Sequence, residues 1–458
     1  MSVVHLSMLP SQVTVAVVGG GPAGFMAAIS AAEALVSAGQ PVSILVLEAT
    51  AEPLHKVLIS GGGRCNVTHA CWEPQLLVHH YPRGRRALRG PFAQFAPADS
   101  VEWFARHGLE LVQEADGRLF PRSNRSSSVV ECLRQAARRV GVQLATGVAV
   151  QTVRHLGEGG FELSLRGGSS LICRRLVLAS GSHPSGHRLA AALGHSLVAP
   201  VPSLFSLALA APGLQDLAGV SMDPVELELL PPGDAPPSLR RHEGLRQRGA
   251  VLITHRGLSG PATLRLTAFG ARALRGWGYR AQLRVDWTGG LGASALEALF
   301  AQTRQQQARR TLASWRPWPG LARRLWWRML ADAGLASTGA QVRWAELTRR
   351  GQQNLIAALL NSRYAVVGRG PFGEEFVTAG GVPVDEVNWV TMESRRCEGL
   401  QLVGELLDID GVTGGFNFQH CWTSGWLAGQ ALQRALMPAS CQDGSEHQTS
   451  PSAGAGLC

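Results

Sequence analysis

Val13-Thr14-Val15-Ala16-Val17-Val18-Gly19-Gly20-Gly21-Pro22-Ala23-Gly24 is the stretch on which the fold reading turns. Its first six residues are β-branched or small, and too apolar on both faces for an edge strand, so they read as a buried parallel strand. The glycines end that strand. From Pro22 the chain is rich in helix formers until about residue 39, and a second apolar run at 42–47 closes on Glu48. Strand, glycine turn, helix and strand make a βαβ unit, whose right-handed crossover sets the two strands side by side and parallel.

In that frame the spacing G-x-G-x-x-G has steric content. Gly19 permits the tight turn, Gly21 lets a pyrophosphate approach the backbone, and Gly24 lets the helix pack closely on the strand. Pro22 and Ala23 open a helix whose free amides and positive dipole end face the phosphates. Glu48, at the end of the second strand, is placed to accept hydrogen bonds from a ribose. The alternative is a plain tight turn, which would need neither the flanking strands nor the terminal acid. A dinucleotide follows, but the fingerprint alone leaves NAD and FAD open.

A second glycine cluster begins at the only lysine of the chain, Lys56-Val57-Leu58-Ile59-Ser60-Gly61-Gly62-Gly63-Arg64-Cys65-Asn66-Val67-Thr68. Consecutive glycines such as Gly62 and Gly63 allow a backbone to lie against a flat or phosphate-bearing ligand, while Arg64 and Asn66 offer directed hydrogen bonds.

Beyond these motifs, residues 127–140 read as a helix, 143–153 as strand structure and 171–179 as an apolar strand ending in Ser180-Gly181. Past residue 200 the texture shifts to short strands (207–210, 225–230, 250–254) between Pro/Gly-rich turns. Residues 292–361 are rich in Ala, Leu, Arg and Gln and read as helical. Tryptophans at 315, 318, 326, 327 and 344 recur there, as core packing or, less simply, as stacking platforms for nucleic-acid bases. One more apolar strand at 400–403 leads through glycines to a helix over 415–432. The expected division is residues 1–197 with 367–436 as one discontinuous α/β domain, 198–366 as an insert with a β-rich part (198–290) and a helical part (291–361), and 437–458 as a disordered tail.

The 458 residues allow several domains and a large core. No apolar run escapes charge or Gly/Pro interruption for the length of a membrane span, and the first residues lack a basic, then apolar, then cleavable leader. Eight cysteines show neither C-x-x-C pairs nor metal-type spacing, so reduced thiols in a cytoplasm, no dithiol centre and no metal are expected. The formal charge of +10 favours anionic partners. All but one of the 43 basic residues are arginines, a skew that reads as codon bias rather than as a nucleic-acid surface.

The chain resembles the flavoprotein family called YhiN-like or BaiN-like, whose hallmark is the lysine-to-threonine segment. The likeness continues at residues 117–121 (Gly-Arg-Leu-Phe-Pro), 254–261 (Thr-His-Arg-Gly-Leu-Ser-Gly-Pro), 378–382, 391–394 (Thr-Met-Glu-Ser), 404–408 (Gly-Glu-Leu-Leu-Asp) and 413–419 (Thr-Gly-Gly-Phe-Asn-Phe-Gln). It implies an FAD-binding, Rossmann-like α/β domain interrupted by an inserted β-barrel-like and helical domain. Gly404 and Glu405, with Asp408 after them, would hold the ribityl chain or pyrophosphate. Gly414, Gly415, Phe416 and Asn417 would start a helix beneath the flavin, where a dipole favours the negative charge of reduction. Val150, Ser180 and Gly181 complete the cofactor candidates. Three positions depart from the family pattern. The 180–186 loop is shortened, His69 replaces asparagine, and Phe416 stands where tyrosine is common.

Catalytic candidates are Cys65, as a flavin-proximal nucleophile, and His255 and His420, as proton donors. Each also has a bland alternative, packing for the cysteine and structural hydrogen bonding for the histidines. The resemblance implies an FAD-dependent oxidoreductase passing hydride from NAD(P)H to a small-molecule substrate, an organic acceptor. No second fingerprint for a nicotinamide domain occurs, so that donor would dock transiently. Nucleic acid is not the expected partner, although an RNA-modifying flavoprotein using the Arg-rich region, or a non-catalytic redox module, are the rivals. The sequence leaves the oligomeric state open.

Overall fold

In the computed structural model the described residues are 9–157, 160–235, 244–335, 341–370 and 377–437. The expected tail lies outside them apart from Met437. Five strands form the parallel heart of the main sheet, in the spatial order Leu400–Leu402, Ser170–Leu178, Gln12–Val18, Ile44–Glu48 and Gln143–Thr146. Two parts of the chain more than 200 positions apart in sequence thus share one layer. The burial of Val15, Ala16 and Val17 on both faces accounts for the missing alternation in the first strand.

Above that sheet the helices Pro22–Ser37 and Phe416–Leu436 lie against each other. Small residues set their distance. A Cβ on Gly425 would stand 2.6 Å from the Ala23 carbonyl oxygen, and one on Gly429 would stand 2.6 Å from Ser30 Cβ. Larger side chains at these two positions would push the C-terminal helix away from the glycine turn that opens the first one.

A closed barrel forms the second core. Its strands run in the order Leu207–Ala210, Gly257–Ser259, Arg246–Thr254, Ser221–Leu230, Ala281–Asp286 and Ser362–Arg369. The helices Ala293–Gln306, Arg323–Asp332 and Arg349–Leu360 pack beside it in the same apolar cluster. Trp326 and Trp344 are wholly buried there, stacked with centroids 6.2 Å apart. They are core residues and present no face to a nucleic-acid base. Two arginines of the same region are also tied to the backbone: Arg304 donates to the Trp344 and Leu347 carbonyls and Arg316 to that of Leu321.

Buried polar contacts tie the two cores together. Arg83 pairs with the wholly buried Asp410 and donates to Ala268 O at 2.8 Å, while Thr267 Oγ1 and the backbone of Phe205 bond to each other. Arg272 holds both oxygens of Asp408 at 2.6 Å. No helix among the described residues is long and apolar enough to cross a membrane.

Candidate functional site

The first glycine turn sits at the carboxyl ends of the central parallel strands. Gly19, at φ +113, runs so close to its neighbour strand that a Cβ would stand 2.5 Å from Ala179 O. A Cβ on Gly24 would overlap the Gly19 carbonyl oxygen. At Gly21, by contrast, a Cβ would meet nothing within 4 Å, so the turn is open on that side. Gly21 is the N-cap of the helix that begins Pro22-Ala23 and supplies no side-chain cap; Pro22 has no N–H and the Ala23 amide faces the Cys421 sulfur, which leaves the amides of Gly21 and Gly24 for a ligand.

Glu48 closes the turn from below. Its Oε2 accepts the Gly20 N–H at 2.8 Å, and its Oε1 accepts the amide and hydroxyl of Thr50. Oε2, which accepts one bond, keeps a lone pair for a ribose, while Oε1 is filled by Thr50. Val150, 8% exposed, begins the strand that follows, two residues past Val148, whose amide donates to Glu48 O.

The second cluster is helical before its glycines and open at them. Residues from His55 form a helix that breaks at Ser60, after which Gly61, Gly62 and Gly63 all take positive φ. Side chains in that region cost roughly 1–2 kcal/mol per residue. Over Gly62 and Gly63 a Cβ would again meet nothing within 4 Å. Asn66 Oδ1 is buried without a partner beside this exposed run. Open glycine backbone on two sides, an uncapped helix start and an orphaned amide oxygen are the features a phosphate-bearing dinucleotide would complete.

Residues from the far end of the chain converge here. Lys56 Nζ lies 2.9 Å from Glu405 Oε2, and the carboxylate raises the lysine's pKa above its usual value against the opposing effect of burial. Gly181 faces the same Oε2, 3.9 Å from where its Cβ would be. Ser180 Oγ is buried and unpaired. A Cβ on Gly404 would approach Ala23 Cβ to 2.8 Å, and one on Gly415 would lie 2.7 Å from the Thr68 backbone. Gly19, Lys56, Gly181, Gly404 and Glu405 therefore belong to one neighbourhood.

Other candidates are engaged elsewhere. Arg64 pairs with Glu114, donates to Asn124 Oδ1 at 2.6 Å and stacks on Phe120 at 4.0 Å, so its guanidinium serves that network instead of a phosphate. Asn417 uses both ends of its amide on Gly411, fixing the turn before the last helix. Asp408 is held by Arg272, as described. Phe416 is 2% exposed, and its carbonyl accepts the Tyr81 hydroxyl at 2.6 Å. Gly414 O instead receives His69 Nδ1 at 3.1 Å.

The three catalytic candidates fit their roles poorly. Burial pushes the Cys65 thiol up to about 12, which removes the thiolate a nucleophile needs. His420 is buried inside the last helix, 3.2 Å from Gly404 O, and burial pushes it down to about 4. An imidazole kept neutral and sealed from solvent is a poor proton donor. His255 is exposed on the barrel hairpin and shares no hydrogen bond with the glycine turns among the described residues. No sequence motif marks His80 or Arg265. The adjacent His79-His80 pair was the only signal, and it has no motif spacing.

The model of a family described as HI0933-like protein Rossmann domain matches residues 13–431. The chain is 30% identical over 429 residues to a 3-dehydro-bile acid delta(4,6)-reductase of Clostridium scindens, covering 91% of this chain and 98% of the relative. It is 28% identical over 424 residues to a ribosomal RNA dihydrouridine synthase of Escherichia coli, covering 91% and 97%. A protein of the same description from Haemophilus influenzae is 24% identical over 433 residues, covering 91% and 98%.

Proposed function

Because this chain belongs to the HI0933-like Rossmann-domain family, we propose that it is an FAD-dependent oxidoreductase that saturates a carbon–carbon double bond conjugated to a carbonyl, with NAD(P)H as electron donor. One relative is named for reducing a bile-acid olefin and two for making dihydrouridine, a uridine saturated in its ring. Those names share one bond change. The observation that carries the cofactor assignment is the neighbourhood of Gly19, Lys56, Gly181, Gly404 and Glu405, next to the open side of Gly21 and built from distant parts of the chain.

Bound there, FAD would supply the two-electron chemistry that side chains lack. The chain's own residues hold and orient. The amides of Gly21 and Gly24 would take the pyrophosphate, Glu48 the ribose, and Lys56 with Glu405 the hydroxyl-bearing linker. The positive end of the dipole of the helix Phe416–Leu436 would favour negative charge on a ring bound at its start. On this reading residues 1–197 and 367–436 make the cofactor domain and 198–366 an insert, whose last barrel strand runs on to Arg369. The nicotinamide docks transiently, since no second fingerprint follows a strand.

The test is to purify the protein, follow anaerobic bleaching by NADH and by NADPH, and then add conjugated enones and uridine derivatives. Reoxidation coupled to loss of the double bond is expected. A flavin that is reduced but reoxidised by no such acceptor would favour a redox-sensing module instead.

Ribosomal RNA is the second reading, favoured by the names of two relatives and by exposed Arg309, Arg310, Arg323, Arg349 and Arg350 on the helical region. Binding of ribosomal RNA that weakens steeply with salt would support it.

A further inference from the structure

Where the sheet layer faces the barrel, His80 and Arg265, which the glycine turns do not use, lie close enough for the guanidinium charge to act on the imidazole, and the His69 ring stands 6.1 Å from that of His80. His80 lies face to face with Phe416, ring centroids 4.1 Å apart and 9° from parallel, and His69 leans on the same ring at 4.8 Å. Both therefore flank the start of the last helix. His80 is half-buried, and its ring nitrogens have no hydrogen-bond partner among the described residues.

Arg265 comes from the barrel side, on the helix Pro261–Phe269. Arg83, three residues after His80, donates to Ala268 O on that same helix and so fixes the approach. Arg265 is half-buried. It donates to Arg248 O at 2.6 Å and has no carboxylate within ion-pair distance among the described residues. Burial, then the charges of His69 and Arg265, push His80 down to about 4, which leaves it an uncharged hydrogen-bond donor at neutral pH. A partly desolvated cation with N–H groups to spare, within electrostatic reach of a neutral donor that has no partner among the described residues, suits an oxygen on which negative charge develops.

Resting on the function proposed above, we infer that Arg265 and His80 hold the carbonyl oxygen of the acceptor and stabilise it as an enolate. A hydride originating from NAD(P)H forms a C–H bond at the β-carbon. The π pair of the double bond moves between the α-carbon and the carbonyl carbon, and the carbonyl π pair moves onto oxygen. That oxyanion accepts N–H bonds from Arg265 and His80. When the carbonyl re-forms, the α-carbon takes a proton from water, so the acceptor gains one hydride and one proton.

Phenols mimic the enolate, and their ionisation is visible in the ultraviolet. The holoprotein is expected to bind a para-substituted phenol as its phenolate, Arg265→Gln to lose that preference, and Arg265→Lys to recover part of it. For a cyclic enone Arg265→Gln should lower kcat/KM by about 100-fold or more, the usual effect of removing an oxyanion donor. Flavin content and melting temperature equal to the wild type's establish that the variant is folded. A wild-type protein that binds the neutral phenol as well as the phenolate overturns the inference without any variant, as does an Arg265→Gln enzyme of wild-type kcat/KM. A wild-type protein that reduces no enone overturns the function proposed above instead, and phenolate bound through Arg265 then still supports the oxyanion site.

Discussion

Lys56 and Glu405 stand 349 positions apart in the chain and 2.9 Å apart in the fold. The lysine side chain is 57% exposed and the glutamate 13%, so the pair joins an exposed cation to a nearly enclosed carboxylate. Exposed pairs of this kind contribute about 0.2–1 kcal/mol to stability. Lys56→Met should therefore cost no more than that in urea unfolding of the apoprotein. Glu405→Gln should instead weaken FAD by about 10-fold, or 1.4 kcal/mol, in a fluorescence titration.

Gly21 and Gly24 separate binding from folding. Alanine at Gly21 meets no atom within 4 Å, whereas at Gly24 it overlaps Gly19 O. Gly21→Ala is expected to keep the apoprotein's melting temperature and lose FAD. Gly24→Ala should lose about 1–3 kcal/mol of stability through overpacking before any ligand is added. Equal behaviour of the two variants in thermal unfolding would contradict this division.

Cys65 should be inert. With its thiol pushed up to about 12 by burial, the thiolate fraction near pH 8 is on the order of 1 in 10,000. Ellman's reagent should leave it unreacted in the folded protein, and Cys65→Ser should retain activity within a few-fold. Rapid labelling of Cys65, located by peptide mapping, would restore it as a nucleophile.

His420 gives the stability a pH dependence of known sign. Burial holds it near 4 in the folded chain, against an ordinary value of 6.5, so between these values the unfolded chain binds a proton that the folded chain refuses. Stability from this group is fully present above pH 6.5 and declines as pH falls toward 4, with a limiting slope of about 1.4 kcal/mol per pH unit. Urea midpoints measured from pH 7 to 4 should fall less steeply for His420→Gln than for the wild type.

The parts of this protein set by local spacing could be read from its sequence. Gly19, Gly21 and Gly24 differ in what a Cβ would meet because a strand, a turn and a helix succeed one another within twelve residues, and that order is written in residues 13–24. Trp326 and Trp344 could be weighed as core because their neighbours are apolar at helical spacing. What depends on distant partners was less legible. Arg64 reads as a ligand donor in its own segment, yet Glu114 and Asn124, 50 and 60 residues on, take its guanidinium. The helix break at Ser60 was hidden because glycine tolerates several backbone regions and announces none. His80 and Arg265 lie 185 positions apart with no motif to join them, and the barrel helix that brings them together is placed by Arg83 and Asp410.

Convergence of the glycine turns, Glu48 and Glu405 on one adenine–flavin molecule is most directly tested by reconstitution. Purified protein, stripped of any bound flavin and titrated with FAD, should quench its fluorescence at a sharp equivalence of one FAD per chain and emerge yellow after desalting, with both properties lost in Gly21→Ala. Protein that stays colourless after soaking in excess FAD, while remaining folded by circular dichroism, would contradict it.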